Sequence, residues 1–375
     1  AEFFVLLLGA TLGMSLMAST SNLLMIFLAI ELASLPSYVL AGFRKTERLG
    51  AEASLKYVLF GAASSSIMVF GLSYLYGLGG SLEISAAAHA AAGSPIMAVA
   101  LICVLVGVGF KIALVPLHFW CPDVFEGAGV DVAAFLSVAS KGAGLILLMR
   151  LMLLIAPSGS VAIGIVIATL GALTATVANT AALSQTNVKR LLAYSSIAHA
   201  GYMLCVLPLL LTPSPQTAIQ AILIYLAVYL FMNLGAFMVA GIVERQHGDT
   251  QIASFAGLGH RSPLLAVCMT IFLFSLIGLP PFAGFIAKLN IMWLLASAGA
   301  WWWALVAVIA VNTIISVYYY ARVMKAMYFA QSDAPGFFPN PLGLGIAVIS
   351  AILLIAMLLF FAALSHMTMI YAHLA

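Results

Sequence analysis

The sequence predicts an all-α, polytopic membrane helix bundle of about eleven transmembrane helices. Apolar residues make up 65% of the 375 residues, charged residues make up only 7%, and the mean hydropathy is +1.19. A soluble chain of this length needs far more charge to cover its surface, which excludes the soluble globular classes. A lipid bilayer instead requires an apolar exterior and a hydrogen-bonded backbone, which helices provide.

Eleven apolar runs, separated by breaks rich in Gly, Pro or charge, give the predicted helices in order. A spanning helix needs about 20 apolar residues, and each run is close to that length or longer. The runs lie near residues 2–20, 22–43, 53–77, 95–120, 131–156, 160–182, 189–211, 216–243, 263–295, 301–329 and 342–372. Only Ser19 to Asn22 separates the first two runs, which favours a tight helical hairpin over one bent element.

Positive charge is confined to one end of the predicted crossings. With eleven alternating crossings, one side receives nine basic residues in or beside loops: Arg44, Lys45, Arg48, Lys189, Arg190, Arg245, Arg261, Arg322 and Lys325. The opposite loops, near residues 78–94, 157–159, 212–215 and 296–300, contain neither Lys nor Arg. This is the positive-inside bias, so the basic face is predicted to be cytoplasmic or matrix-facing and to carry the N-terminus. The opposite side is called the far face below.

Six ionisable residues lie inside the apolar runs, where each costs about 2.5 to 3.5 kcal/mol even on the lenient insertion scale. They are Glu31, Lys56, Lys111, Lys141, His199 and Lys288. Paired structural groups, for example Glu31 bonded to Lys56, are one interpretation. One carboxylate cannot neutralise four ammonium groups, however, so some lysines are expected to lose their proton part of the time, as a proton relay requires.

Arg150, near the far end of its helix, is expected either to reach the far interface or to serve an exit path.

Two of these lysines sit beside prolines that break a helix. Pro116 follows Lys111, and Pro280 and Pro281 precede Lys288. Proline removes a backbone donor and clashes with the preceding turn, so each helix is predicted to break near its lysine. The broken segments are five crossings apart and therefore run in opposite directions. This pattern predicts two inverted five-helix repeats, residues 1–156 and 160–330, followed by an additional helix at 342–372.

Four separated motifs resemble a known family. They are Glu31 to Pro36, Gly107 to Lys141, Lys189 to Tyr202 and Gly278 to Lys288. These segments resemble the antiporter-like subunits of respiratory complex I, in particular the subunit N branch of bacterial NADH:quinone oxidoreductase, equivalent to mitochondrial subunit 2. Lys141 and Lys288 favour that branch. Longer members carry three further helices before the one that resembles the first run here, and many have prolines at the positions of Gly129 and Asp131.

The resemblance implies a role for each buried ionisable residue. Glu31 and Lys56 resemble the charge pair at the entrance of the proton channel. Lys111 resembles the central lysine of the first broken helix, and Lys141 the connecting lysine. His199 resembles the central linker, and Lys288 the terminal lysine. His118, Trp120 and Asp123 also fit the family motif; we expect them to fix the broken helix, with proton uptake as the alternative.

The function implied is that of a non-redox, proton-translocating subunit of NADH:quinone oxidoreductase. We expect no metal site and no cofactor in this chain, with NADH, flavin, iron–sulfur clusters and quinone held by partner subunits. The expected partners are other membrane subunits of complex I, including related antiporter-like subunits, and lipid, with no nucleic acid. The expected location is a bacterial inner membrane, or alternatively the mitochondrial inner membrane. Two alternatives are a subunit of a multi-subunit sodium/proton antiporter and a structural membrane scaffold.

Overall fold

The computed structural model describes residues 1–44, 46–91, 94–155, 161–212, 214–331 and 335–374. Lys45, one of the predicted basic-face residues, and the predicted far-face loop at 157–159 lie outside the described residues.

Helices are the regular structure throughout these ranges. The described residues form seventeen α-helices: α1 (Glu2–Ser19), α2 (Leu23–Ala41), α3 (Arg48–Gly79), α4 (Ile84–Ala91), α5 (Pro95–Ile112), α6 (Trp120–Gly127), α7 (Val130–Phe135), α8 (Lys141–Ile155), α9 (Val161–Ala182), α10 (Val188–Leu204), α11 (Pro215–His247), α12 (Leu258–Arg261), α13 (Pro263–Ile277), α14 (Ala283–Ser297), α15 (Trp303–Phe329), α16 (Pro341–Leu359) and α17 (Phe361–Leu374). A π-helical turn at Leu136–Ser140 joins α7 to α8, and 3₁₀ turns occupy Leu207–Leu211, Ile252–Phe255 and Ala300–Trp302.

The predicted membrane helix bundle is confirmed. In the described part of the chain, ten helical segments are long and apolar enough to cross a bilayer. The eleventh crossing is shared by α13 and α14, which have 15 residues each and are too short to span singly. The far-face segment between α3 and α5, predicted to be a loop, contains the short helix α4.

Local sequence explains where several crossings begin and how closely they pack. The side-chain oxygen of Asn22 accepts hydrogen bonds from the first backbone amides of α2, and Asn187 does the same for α10. The break at Thr20 makes α1 and α2 the predicted hairpin. A methyl group on Gly13 would lie 2.4 Å from the backbone nitrogen of Ala33, so only glycine permits this approach of the two backbones.

The centre of the bundle is α10, whose side chains are almost all buried. It packs against α9, α6 and α11, while α11 also contacts α13, α14 and α16. Trp301 and Trp303 remain exposed where α15 begins at the far face, as expected of an aromatic belt. Polar side chains on α10 are therefore enclosed by helices from both halves of the chain. The candidate site lies around them.

Candidate functional site

The first broken crossing consists of α5 and α6, joined by turns at residues 113–119. The chain leaves α5 through Ala113, whose φ of 62° lies in the left-handed region, and the Val115–Pro116 peptide bond is cis. The freed backbone groups find partners in neighbouring side chains. The Trp120 indole N–H donates to the Phe110 carbonyl oxygen at 3.1 Å, and the Val115 amide donates to a threonine hydroxyl of α9. Irregular backbone is tolerated inside a membrane only with such partners.

Lys111 occupies the last turn of α5, directly before this break, and is completely buried. Its Nζ atom donates a hydrogen bond of 2.9 Å to the hydroxyl oxygen of Ser34 on α2. Glu31 lies one helical turn before Ser34, so the face of α2 that reaches Lys111 also carries Glu31. The carboxylate of Glu31 interacts electrostatically with Lys111. Its Oε1 atom is buried and has no hydrogen-bond partner among the described residues.

Lys56 does not pair with Glu31, so that part of the sequence interpretation is wrong. The Lys56 ammonium instead binds two other carboxylates, Glu52 at 2.8 Å and Asp123 at 2.6 Å. Glu52 lies one turn earlier on α3, and α6 brings Asp123 to the same point. Lys56 lies in the third turn of α3, near the basic face, and its side chain is 37% exposed, so it is not part of the buried row. Position along the helix predicted how deep these side chains lie in the membrane, but not the direction in which each helix turns them.

Asp123 links Lys56 to a wider group of charges on the basic face. Its carboxylate also binds Arg190 of α10 at 2.7 Å, and Arg190 binds Glu126 at 2.8 Å. These contacts attach α6, the second half of the broken crossing, to α3 and α10. His118 is buried beside the break, where its ring packs against Phe119 with centroids 4.5 Å apart.

Lys141 is the first residue of α8, immediately after the π-helical turn, a feature often found at functional sites. It is buried, donates a hydrogen bond to the Ser196 hydroxyl of α10, and lies 5.3 Å from the centroid of the Phe125 ring. One turn further along α8, a methyl group on Gly144 would lie 3.5 Å from Cβ of Lys111. The two lysines therefore lie on helices in direct contact.

His199 follows Ser196 by one turn of α10, so both side chains project from the same face. The His199 Nδ1 atom and the Tyr225 hydroxyl are hydrogen-bonded at 2.7 Å. The ring also packs against Tyr202 and Tyr229, with centroids 5.6 and 5.4 Å away. His199 is thus enclosed by tyrosines of α10 and α11.

The second broken crossing brings Lys288 to the other side of this cluster. Gly278 ends α13 with a φ of 84°, the Pro280–Pro281 bond is cis, and α14 begins at Ala283. From the second turn of α14, the Lys288 Nζ atom donates to the carbonyl oxygens of Leu276 at 2.9 Å and Ile277 at 2.8 Å. A cation at the last carbonyls of a helix is favourable because those groups are unsatisfied and carry partial negative charge.

Tyr202 connects Lys288 to His199. The Lys288 Nζ atom lies 4.9 Å from the centroid of the Tyr202 ring, and Tyr202 follows His199 by one turn. The structure thus brings five of the six predicted residues into two adjoining groups: Glu31 with Lys111, and Lys141 with His199 and Lys288. Lys56 lies apart at the basic face.

The bridging residues Ser34, Ser196 and Tyr202 were not predicted from the sequence. Serine and tyrosine are ordinary in membrane helices, so singly they give little signal. The available signal is spacing, because each lies three residues from Glu31 or His199 and therefore on the same helix face.

Several further buried hydroxyl groups surround the first group of residues. Tyr38 and Tyr57 pack edge to face with centroids 4.7 Å apart, and Tyr57 stacks on Trp120. Within the described ranges, the hydroxyl groups of Tyr38, Tyr57 and Ser140 have no hydrogen-bond partner. Buried polar groups of this kind are uncommon and mark either a functional pocket or an ordered-water site.

Arg150 lies toward the far end of α8, half buried, and its Nε atom likewise has no partner within the described part of the chain. No group of three or more His, Cys, Asp or Glu residues that could hold a metal ion occurs among the residues described.

Comparison with known proteins identifies the family. The family profile described as NADH:quinone oxidoreductase/Mrp antiporter, TM, matches residues 20–316. NADH-quinone oxidoreductase subunit N of Anaeromyxobacter sp. (strain Fw109-5) is 45% identical, over 89% of this chain and 69% of the relative. A chain of respiratory complex I from Thermus thermophilus superposes with a TM-score of 0.82 at 36% identity, over 97% of this chain and 79% of the other.

A chain of the Mrp complex from Dietzia sp. DQ12-45-1b has the same fold, with a TM-score of 0.85 at 22% identity over 98% of this chain and 76% of the other. The resemblance inferred from the four sequence motifs is therefore confirmed. This chain, with lysines buried at two broken membrane helices, belongs to the NADH:quinone oxidoreductase/Mrp antiporter family.

Proposed function

We propose that this chain is a proton-translocating, non-redox membrane subunit of a respiratory complex I. In this proposal NADH oxidation and quinone reduction take place in partner subunits, which hold the flavin, the iron–sulfur clusters and the quinone. The 45% identity to a relative named as subunit N supports this assignment. The likeness to the Mrp complex, at 22% identity, is one of fold alone and gives less support to a sodium/proton antiporter.

The observation that carries the proposal is the set of buried polar contacts that runs through the bundle. Lys111 bonds Ser34, Lys141 bonds Ser196, and Lys288 bonds the end of α13. Buried ionisable groups in membrane helices are costly and face the bundle interior where they serve ion or proton pathways. A scaffold would gain nothing from lysines placed at two helix breaks.

The six residues take the following roles in this proposal. Lys56 lies at the entrance of the proton path on the basic face. Glu31 exchanges protons with Lys111 at the first helix break. Lys141 connects the two halves, His199 links the centre, and Lys288 is the terminal lysine. Lys111, Lys141, His199 and Lys288 each contact a hydroxyl group or an aromatic ring. The hydroxyl groups of Tyr38 and Tyr57, which have no hydrogen-bond partner among the described residues, are suited to water-mediated transfer.

We further infer that α1 to α8 form one five-crossing repeat and α9 to α15 its inverted counterpart, with α16 and α17 outside. In both, the fourth crossing is broken and the second carries a central ionisable residue, Glu31 or His199. The basic face then lies in the bacterial cytoplasm, or alternatively in the mitochondrial matrix, by the positive-inside rule.

The test is to replace Lys111 with Met in the assembled complex and to reconstitute it in sealed vesicles. Protons moved per NADH oxidised are then measured. We expect fewer protons per NADH for Lys111→Met and an unchanged value for Lys325→Met, which removes an exposed lysine at the basic face. An unchanged value for Lys111→Met would refute the relay. Sodium-dependent proton movement without NADH would favour the antiporter.

A further inference from the structure

A buried cluster of polar side chains lies between α9, α10 and α15, beside the second group of buried ionisable residues. At its centre is Asn179 of α9, which is fully buried. The Nδ2 atom of Asn179 donates to the backbone carbonyl oxygen of Ala175 at 2.8 Å and to the hydroxyl oxygen of Tyr202 at 2.9 Å. A longer bond of 3.2 Å reaches Oδ1 of Asn312 on α15. The Oδ1 atom of Asn179 accepts a hydrogen bond of 3.0 Å from the Tyr319 hydroxyl.

The orientation of the Asn179 amide follows from these partners. A backbone carbonyl oxygen only accepts hydrogen bonds, so the amide atom that faces Ala175 is the nitrogen. An amide nitrogen only donates, and the hydroxyl oxygen of Tyr202 is therefore the acceptor in its bond with Asn179. The hydroxyl end of the Tyr202 side chain is thereby fixed to α9.

The ring of Tyr202 lies between two members of the proposed relay. The Lys288 Nζ atom lies over this ring, 4.9 Å from its centroid, and the His199 ring packs against it edge to face at 5.6 Å. The face of an aromatic ring attracts a cation because the ring quadrupole is negative there. With its hydroxyl fixed, the ring cannot turn away from Lys288 without breaking the bond to Asn179.

Close packing of the helices does not account for the asparagine. Glycines already bring α9 and α10 together, because a methyl group on Gly201 would lie 2.6 Å from the Ala175 nitrogen, and one on Gly171 would lie 3.0 Å from the Cys205 nitrogen. Hydrogen bonds between membrane helices add only modestly to such contacts. What Asn179 supplies, and an apolar residue would not, is a fixed position for the Tyr202 hydroxyl.

We propose that Asn179 is a positioning residue for proton transfer at Lys288. It acts through Tyr202, whose ring it holds against Lys288 and His199, and it carries no proton of the relay, because an amide group does not titrate. The inference rests on the proposed function, since it gives Asn179 a part in the same relay.

The test measures the initial rate of proton pumping by the complete complex in sealed vesicles. Asn179→Leu leaves the buried Tyr202 hydroxyl without its donor, so the ring turns toward another partner, and pumping is expected to slow on the order of fivefold. Asn179→Leu combined with Tyr202→Phe has no unpaired hydroxyl at this position and keeps the ring. Because replacing both partners of a hydrogen bond by apolar groups is nearly neutral, the double variant should recover most of the rate. Equally slow pumping in the double variant would overturn the inference.

Two further variants separate positioning from a general effect on stability. Tyr202→Leu removes the ring and should pump as slowly as Asn179→Leu; a rate equal to that of Tyr202→Phe would show that the ring has no role and would also overturn the inference. Asn312→Leu is the matched control, because it breaks the bond between α9 and α15 and leaves the bond from Asn179 to Tyr202. It should lower the melting temperature and leave the pumping rate unchanged. Slowing equal to that of Asn179→Leu would show that the cluster only joins helices.

Failure of this inference can be told from failure of the proposed function. The proposed function is judged by Lys111→Met, which changes a residue in the other half of the chain. If Lys111→Met lowers the number of protons moved per NADH while Asn179→Leu pumps at the normal rate, the positioning role alone is refuted.

Discussion

Lys141 donates a hydrogen bond to the hydroxyl oxygen of Ser196, which lies on α10, 55 positions further along the chain. This contact joins the two predicted repeats at the centre of the bundle. A hydrogen bond to a charged group contributes about 1.5 to 3 kcal/mol, so its loss is large enough to change proton transfer.

Ser196→Ala is expected to lower the rate of proton pumping on the order of tenfold, since each 1.36 kcal/mol added to a barrier slows a step by that factor. Ser196→Thr keeps the hydroxyl and should keep most of the activity. Ser184→Ala, which alters an exposed serine beyond the end of α9, is the matched control. Pumping in vesicles at equal NADH oxidation measures the effect, and equal rates for Ser196→Ala and the control would contradict it.

Gly278→Ala tests whether the position of Lys288 matters. The new methyl group would lie 2.9 Å from Cδ of Lys288, at a residue with a φ of 84°. Gly248→Ala is a close control, because its φ of 83° imposes a similar backbone strain of about 1 to 2 kcal/mol while the space around it is open.

Both glycine variants should therefore lower the melting temperature of the complex, but only Gly278→Ala should also lower the number of protons moved per NADH. Equal proton yields in the two variants would show that displacement of Lys288 has no effect on pumping.

Gly144→Ala tests the contact between α8 and α5. Its methyl group would lie 2.9 Å from Cγ1 of Ile112 and would push apart the helices that carry Lys141 and Lys111. Overpacking of this kind costs about 1 to 3 kcal/mol. Gly142→Ala, whose methyl group meets only Leu226 at 3.8 Å, is the control on the same helix. We expect slower pumping for Gly144→Ala alone; identical pumping rates would argue against transfer between these two lysines.

Asp123→Asn distinguishes a structural role at the basic face from a role in proton uptake. The carboxylate holds both Lys56 and Arg190, which are only partly buried, so each ion pair contributes at most about 1 kcal/mol. We expect a small decrease in thermal stability that shrinks at high salt, with proton pumping retained. A marked loss of pumping without loss of stability would instead place Asp123 on the uptake path.

The crossings and the broken helices could be predicted because both follow from the order of residues along the chain. Apolar runs near 20 residues give the number of crossings, and proline beside lysine marks the interruption. The sequence also placed Lys111, Lys141 and Lys288 in the membrane interior, where they are buried. The short helix α4 was missed because it is too brief to register as a crossing.

The partners of the buried groups could not be predicted in the same way. The family resemblance paired Glu31 with Lys56, but the face of α2 that carries Glu31 and Ser34 is turned toward Lys111. One partner of Lys56, Glu52, lies one turn earlier on the same helix, but the other, Asp123, is brought there by α6, whose direction depends on the break after Lys111. Pairs between different helices are decided by tertiary geometry and not by position along a helix.

The double hydrogen bond of Lys288 has a consequence for the direction of transfer. An ammonium group carries three N–H bonds, and in Lys288 two of them point at the carbonyl oxygens that end α13. Among the described residues, the third N–H has no hydrogen-bond acceptor, whereas Lys111 donates only one N–H, to Ser34. In the proposed relay, a proton that leaves Lys288 in this orientation would therefore depart along the one N–H that the end of α13 does not hold.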